Sequence, residues 1–242
     1  MGKILIVCPH PDDEIFVLNN ICRDARLSND IDILYLSGTE ERIKEAKKSC
    51  CYLKFNFLFL GADHEIKDGR FHESFKTLRD TFREVIETYD LIFCTALEGG
   101  HQDHDTTAMA IISSLENNEF SKILFYPCYT SLNRSMLYKV RGRNNYVDCM
   151  QKIEQKYTHL RTEELFLSMF IYKSQRLTWI FLWPALFIKY IFNGKDVLYM
   201  LMGEYSGLSI INSIKTQPLY EKHARIKFKE WKSAIIHDLE QD

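Results

Sequence analysis

His10-Pro11-Asp12-Asp13-Glu14 sets an imidazole and three carboxylates within five positions. Such a cluster repels itself unless water or a cation neutralises it, so a divalent metal ion is the natural partner. Helix capping by Asp12, Asp13 and Glu14 would account for the acids but not for His10. Further along, Gly99-Gly100-His101-Gln102-Asp103-His104-Asp105 repeats the design. His10, Asp13, His101 and His104 are the side chains best suited to an ion. Catalytic zinc sites commonly use three nitrogen or oxygen ligands and leave a fourth position open to water.

Both clusters follow short apolar runs, 3–8 before the first and 91–96 before the second, and both open helix-like segments. Further strand-like runs cover 31–36, 55–60 and 123–126. Between them apolar residues recur at helical spacing: Ile15, Leu18, Ile21, Cys22 and Ala25, then Ile43, Ala46, Cys50 and Leu53, then Phe71, Phe75, Leu78, Phe82, Val85 and Ile86. Strands alternating with helices predict an α/β fold: a Rossmann-like, doubly wound parallel sheet in the order 3-2-1-4-5 with helices on both faces. In that order strands one and four are neighbours where the winding reverses, and ligands bind beyond the carboxyl ends of strands at that point. Topology alone therefore predicts that the two clusters meet.

Past Pro127 the pattern is less regular. Residues 146–148 read as a strand or sheet edge, 151–170 as helical, and Lys173-Ser174-Gln175 as an interruption. Residues 177–192 are almost wholly apolar or aromatic, but at this length, with Pro184 and Lys189 inside, they are short for a membrane span. They either pack on the sheet or present an apolar face to a membrane surface. The tail, 220–242, reads as a solvated surface helix. The organisation expected is one domain over 1–242, with a core in 1–130 and a mixed extension in 131–242 that completes the site.

Length and composition narrow the classes. The chain has 242 residues, of which 46% are hydrophobic, which excludes disorder and allows a sizeable core. A formal charge of −2 offers no basic field, so nucleic acid is not an expected partner. Seven cysteines without CxxC spacing indicate reduced thiols, and the first strand begins within a few residues of Met1, leaving no room for a signal peptide. The expected location is cytoplasmic, with peripheral contact at the inner membrane surface if 177–192 faces lipid.

With those residues in view, the chain resembles the LmbE-like family of de-N-acetylases, which includes N-acetylglucosaminyl-phosphatidylinositol de-N-acetylase. The HPDDE motif is intact at His10 to Glu14, and the HPDH motif stands as His101-Gln102-Asp103-His104, with Gln102 for proline. Weaker matches are Arg42 and Glu45 as RxxE, Leu60-Gly61-Ala62-Asp63 as LGxD, and Ser174-Gln175 as SQ. Some members place a tyrosine just before the second motif, where this chain has Glu98, Gly99 and Gly100.

The resemblance implies a zinc site built from His10, Asp13 and His104, with Fe2+ or another divalent ion as the alternative metal. It makes Asp12 the general base and His101 the donor to the developing oxyanion. Asp103 would orient His101 or hold it charged, or else cap the helix. Arg42 and Asp63 resemble sugar-binding positions, their plainer readings being an ion pair and a helix cap. The implied activity is removal of acetyl from an N-acetylhexosamine of the GlcNAc type in a glycoconjugate, which could be lipid-linked. The competing readings are a metal-dependent sugar-nucleotide transferase, which two histidine ligands disfavour, and a non-catalytic sugar- or lipid-binding protein on the same fold.

Overall fold

The structure, a computed structural model, describes residues 2–18, 21, 30–64, 66–115, 120–128, 130–131, 138–139, 150–156, 162–193, 195–201, 206–214 and 226–241. Seven strands form one sheet: β1 (Lys3–Cys8), β2 (Asp30–Tyr35), β3 (Asn56–Phe59), β4 (Leu91–Thr95), β5 (Ile123–Tyr126), β6 (Met150–Lys156) and β7 (Lys195–Leu201). Their spatial order is β3-β2-β1-β4-β5-β7-β6. The first five strands pair in parallel, in the order read from the sequence, and β7 and β6 extend the sheet antiparallel. β1 thus lies between β2 and β4, and its carboxyl end opens at the reversal of winding.

The period of two in β1 sorts its side chains between two cores. Leu5 and Val7 join the layer formed by helices α2 (Phe75–Ile86), α3 (Gln102–Ser114) and α5 (Phe228–Glu240). Ile4, Ile6 and Cys8 join the opposite layer, which holds α1 (Glu40–Leu53) and α4 (Arg176–Asn193). Being covered on both faces explains why the parallel strands read as continuous apolar runs rather than alternating ones.

Three expectations change. Residues 150–156, read mostly as the start of a helix, form strand β6, because seven residues of antiparallel pairing with β7 satisfy the backbone there. Helix begins only at Thr162 and passes into a π-turn over Leu167–Ile171. The first motif opens a 3-10 turn at Asp13–Phe16, and most of the helical pattern that follows it, together with 146–148, lies outside the described residues. Finally, α5 is not merely a solvated tail: Trp231 and Ile235 are fully buried, and the Trp231 indole donates to Thr106 Oγ1 at 2.9 Å. Among the described residues no helix is long and apolar enough to cross a membrane.

Candidate metal centre and catalytic cleft

The loop after β1 delivers His10, Asp12 and Asp13, and the loop after β4 with the first turn of α3 delivers His101, Asp103 and His104. All but His101, which is partly exposed, are buried. Asp12 has φ 97°, a left-handed conformation rare for a residue with a side chain, and such strain persists where surrounding bonds enforce it. Its N–H donates to Glu14 Oε2 at 3.1 Å. Glu14 is held in turn by the Ser49 hydroxyl at 2.7 Å and by the Tyr172 hydroxyl.

The two motifs meet at Asp13. Its Oδ2 accepts the His10 backbone N–H at 2.9 Å and lies 3.4 Å from His10 Nδ1 and 3.3 Å from His104 Nε2. Ligands about 2.0–2.1 Å from one tetrahedral ion stand about 3.3–3.4 Å apart, so these spacings fit a shared cation better than short hydrogen bonds. Among the described residues three donor sets have one ligand atom each within 4.8 Å of one another: His10 with His101 and His104, Asp13 with His104 and Cys128, and His10 with Asp68 and Asp103; His10, Asp13 and His104 do not form such a set and are linked pairwise through Asp13. Burial pushes the Cys128 thiol up, which makes it a poor ligand beside a carboxylate. Asp13 is held well below the usual carboxylate range, since His104 and His10 outweigh its burial. His10 is raised despite burial, by its bonds to Asp103, Asp13 and Asp68. The carboxylates here gather positive charge, which is the electrostatic demand a divalent ion would meet.

Around that centre the remaining groups divide. The Asp103 carboxylate bonds His10 Nε2 at 3.1 Å and accepts Gly69 N–H at 2.6 Å and Phe71 N–H at 3.2 Å. It therefore orients His10, whereas its backbone N–H is what reaches His101, at Nδ1 and 3.2 Å. Because Nδ1 accepts, a neutral His101 carries its proton on Nε2 as a donor. Burial and the neighbouring imidazoles push His101 down to about 3, so it is neutral rather than held charged.

Asp12 is gripped at both oxygens. Arg42 Nη2 donates to Oδ1 at 2.8 Å and to the Pro11 carbonyl at 2.6 Å, and the Trp179 indole donates to Oδ2 at 3.0 Å. Burial raises Asp12 to about 7 against the pull of Arg42. Arg42 also approaches Asp68 Oδ2 at 3.6 Å. Glu45, one turn along α1, accepts the Ser174 N–H at 3.0 Å and its hydroxyl at 2.5 Å, so the RxxE and SQ pairs are physically joined. Asp63 lies in the short helix Gly61–His64, and its side chain falls outside the described ones.

Two site residues escaped the sequence reading. Asp68, half exposed, sits 3.3 Å from His10 Nε2 and faces the cleft. Its signal was the Asp68-Gly69 turn, where Gly69 has φ 78°. Trp179 lay inside an apolar run that read as core or membrane-facing. Together with Gln175, Thr178 and Leu182 it makes α4 one wall of a cleft of about 230 Å³ whose floor includes His10, Asp12, Asp13 and His101.

A family profile described as PIG-L, GlcNAc-PI de-N-acetylase, matches residues 5–115. Over that stretch, just under half of the chain, the sequence is similar to the PIG-L family. That match spans both motifs and every residue from the N-terminal half placed around the ion position and Asp12, from His10 to His104. Solved structures extend the likeness past it. A conserved protein of Thermus thermophilus is 18% identical over 85% of this chain and 97% of its own, with a TM-score of 0.59. The zinc-inhibited form of a teicoplanin deacetylase is 12% identical over 84% and 98%, also at 0.59. The N,N'-diacetylchitobiose deacetylase of Pyrococcus horikoshii is 16% identical over 86% and 85%, at 0.50. At these identities the likeness is one of fold. A search of curated proteins finds no match.

Proposed function

We propose that this protein is a metal-dependent N-deacetylase that hydrolyses the acetamide of an N-acetylhexosamine conjugate to acetate and a free amine. The carrying observation is Asp13 Oδ2 set between His10 Nδ1 and His104 Nε2, at 3.4 and 3.3 Å, beside a second carboxylate raised to about 7. His10, Asp13 and His104 would hold the ion. Two imidazoles with one carboxylate favour zinc, with Fe2+ next, over magnesium.

A divalent ion held there would make water more acidic and polarise the amide carbonyl. The chain's own groups supply the rest. Asp12, ionised above about 7, takes a proton from the attacking water and returns one to the departing nitrogen as the C–N bond breaks. His101 donates from Nε2 to the carbonyl oxygen as that oxygen gains negative charge. Asp103 fixes the ring of His10, and such outer carboxylates keep an imidazole in the tautomer that binds a metal. Asp68 and Arg42 border the cleft, where the former offers acceptors to sugar hydroxyls. A teicoplanin deacetylase and an N,N'-diacetylchitobiose deacetylase share the fold, and the second supports an N-acetylated sugar as the substrate class.

Elemental mass spectrometry joined to acetate release tests this reading. The expected result is about one zinc or iron per chain, acetate and amine released in equal amounts from N-acetylglucosaminyl conjugates, and both lost in His104→Ala. A folded protein that takes up no metal after reconstitution would overturn it.

A further inference from the structure

Helix α4 has two apolar faces with different neighbours. Trp179, Leu182 and Trp183 point inward and are buried, with Trp179 on the base and Trp183 donating to Ser168 Oγ at 2.9 Å. Leu177, Ile180 and Phe181 point outward and are 74%, 51% and 52% exposed. With exposed Pro184 they stand at i, i+3, i+4 and i+7, one stripe of a helix. Near the start of α4 a second apolar group is also exposed: Phe170, 60% exposed, stacks on Phe166 at 5.5 Å, and Phe166 stacks on Tyr52 at 4.9 Å. Burying large apolar side chains is the dominant gain in folding, so leaving this many out on neighbouring elements marks a surface made to be covered.

Charge says by what. Although 33 of the 242 residues are acidic, the stretch 165–193 contains no Asp or Glu, and its cations are Lys173, Arg176 and Lys189. Lys173 and Arg176 are exposed at the start of the apolar stripe. Within 165–193 the apolar face is accompanied only by cations, while beside Phe170 the exposed Glu40 and Glu41 are mixed with Lys44, Lys48 and Lys173; a helical face of that kind suits anionic headgroups over acyl chains, where such helices lie in the interface plane. The helix does not reach the length and hydropathy of a span, so the fit is to a surface.

We infer that the outward face of α4, with the Phe166 and Phe170 rings beside it, docks on an anionic lipid bilayer and brings the cleft walled by the same helix alongside the headgroups. Docking itself does not depend on the deacetylase reading; delivery of an acetylated headgroup to the cleft does.

Vesicle flotation of the full chain tests docking without any enzymatic readout. Vesicles of phosphatidylcholine mixed with phosphatidylglycerol are expected to carry the protein. Pure phosphatidylcholine should carry less, and high salt should release part of what is bound. The triple variant Leu177→Ser, Ile180→Ser, Phe181→Ser should lose at least about tenfold in partitioning while its thermal unfolding stays close to wild type. Leu177→Ser alone, at the most exposed position, serves if the triple variant does not fold. Lys173→Glu should weaken binding to the anionic vesicles only. Failure of the wild type to float, or equal flotation of the serine variants, overturns the inference. So does light scattering that shows a wild-type dimer without vesicle binding which the triple variant splits, since the face would then belong to a second copy of the chain.

Discussion

The indole N–H of Trp179 lies 3.0 Å from Asp12 Oδ2, joining an aromatic residue of α4 to a carboxylate 167 positions earlier in the chain. Trp179→Phe keeps the ring and removes the donor. A hydrogen bond to a charged group contributes about 1.5–3 kcal/mol, so a fall in kcat of about 10- to 100-fold is expected. Metal content and KM should stay near wild type, and both are measured on the same preparation. Asp12→Asn, which removes the base, should cost about 10² to 10⁴ in kcat with metal retained.

The pH profile has a defined sign. Burial lifts Asp12 to about 7, so the base is protonated below that pH and ionised above it, and kcat/KM should rise through neutrality. Arg42 pulls the same group down. Arg42→Ala should therefore shift the acid limb to higher pH and lower the rate at pH 7. A limb that does not move would dissociate it from Asp12.

Asp103→Asn tests the placement of its carboxylate on His10. Outer ligand partners typically contribute about 10- to 100-fold in metal affinity, and a loss of that size is expected in competition with a chelating dye. His101→Ala should instead leave affinity unchanged and reduce kcat by about 10² or more. The two variants separate a metal-orienting carboxylate from a transition-state donor.

Metal binding should also register as stability. An ion that binds only the folded chain adds about 2.7 kcal/mol at a free concentration a hundred times its Kd. Calorimetric melting with and without zinc should show a rise in Tm for wild type and none for His104→Ala. A rise that survives in His104→Ala would put the ion elsewhere.

The sheet was readable because buried parallel strands are nearly pure apolar runs and each motif sits where such a run stops. Strand β6 was not, because Met150-Gln151-Lys152-Ile153 carries little apolar signal: Met150 and Ile153 are only partly buried against the two cores, and pairing with β7 fixes the strand. Within the site, the motifs announced His10, Asp12, Asp13, His101 and His104 by residue type and position. They did not announce who holds whom: the Asp103 side chain passes over its neighbour His101 to reach His10, a contact between residues 93 apart. Trp179 was hidden for a different reason. A buried tryptophan in an apolar stretch looks like packing until its single polar atom is seen to have a destination.

The left-handed turn at Asp12 is set by β1, yet the donors on its two oxygens come from α1 and α4, which Glu45 and Ser174 pin together. The groups proposed to hold the ion and those that align the proposed base thus come from different elements. Without α4 in place the proposed metal donors of the two loops would still meet, while the Asp12 carboxylate would keep only its Arg42 donor and lose the Trp179 one. A substitution that loosens the packing of α4 should therefore disturb the proposed base while leaving the proposed metal donors in place.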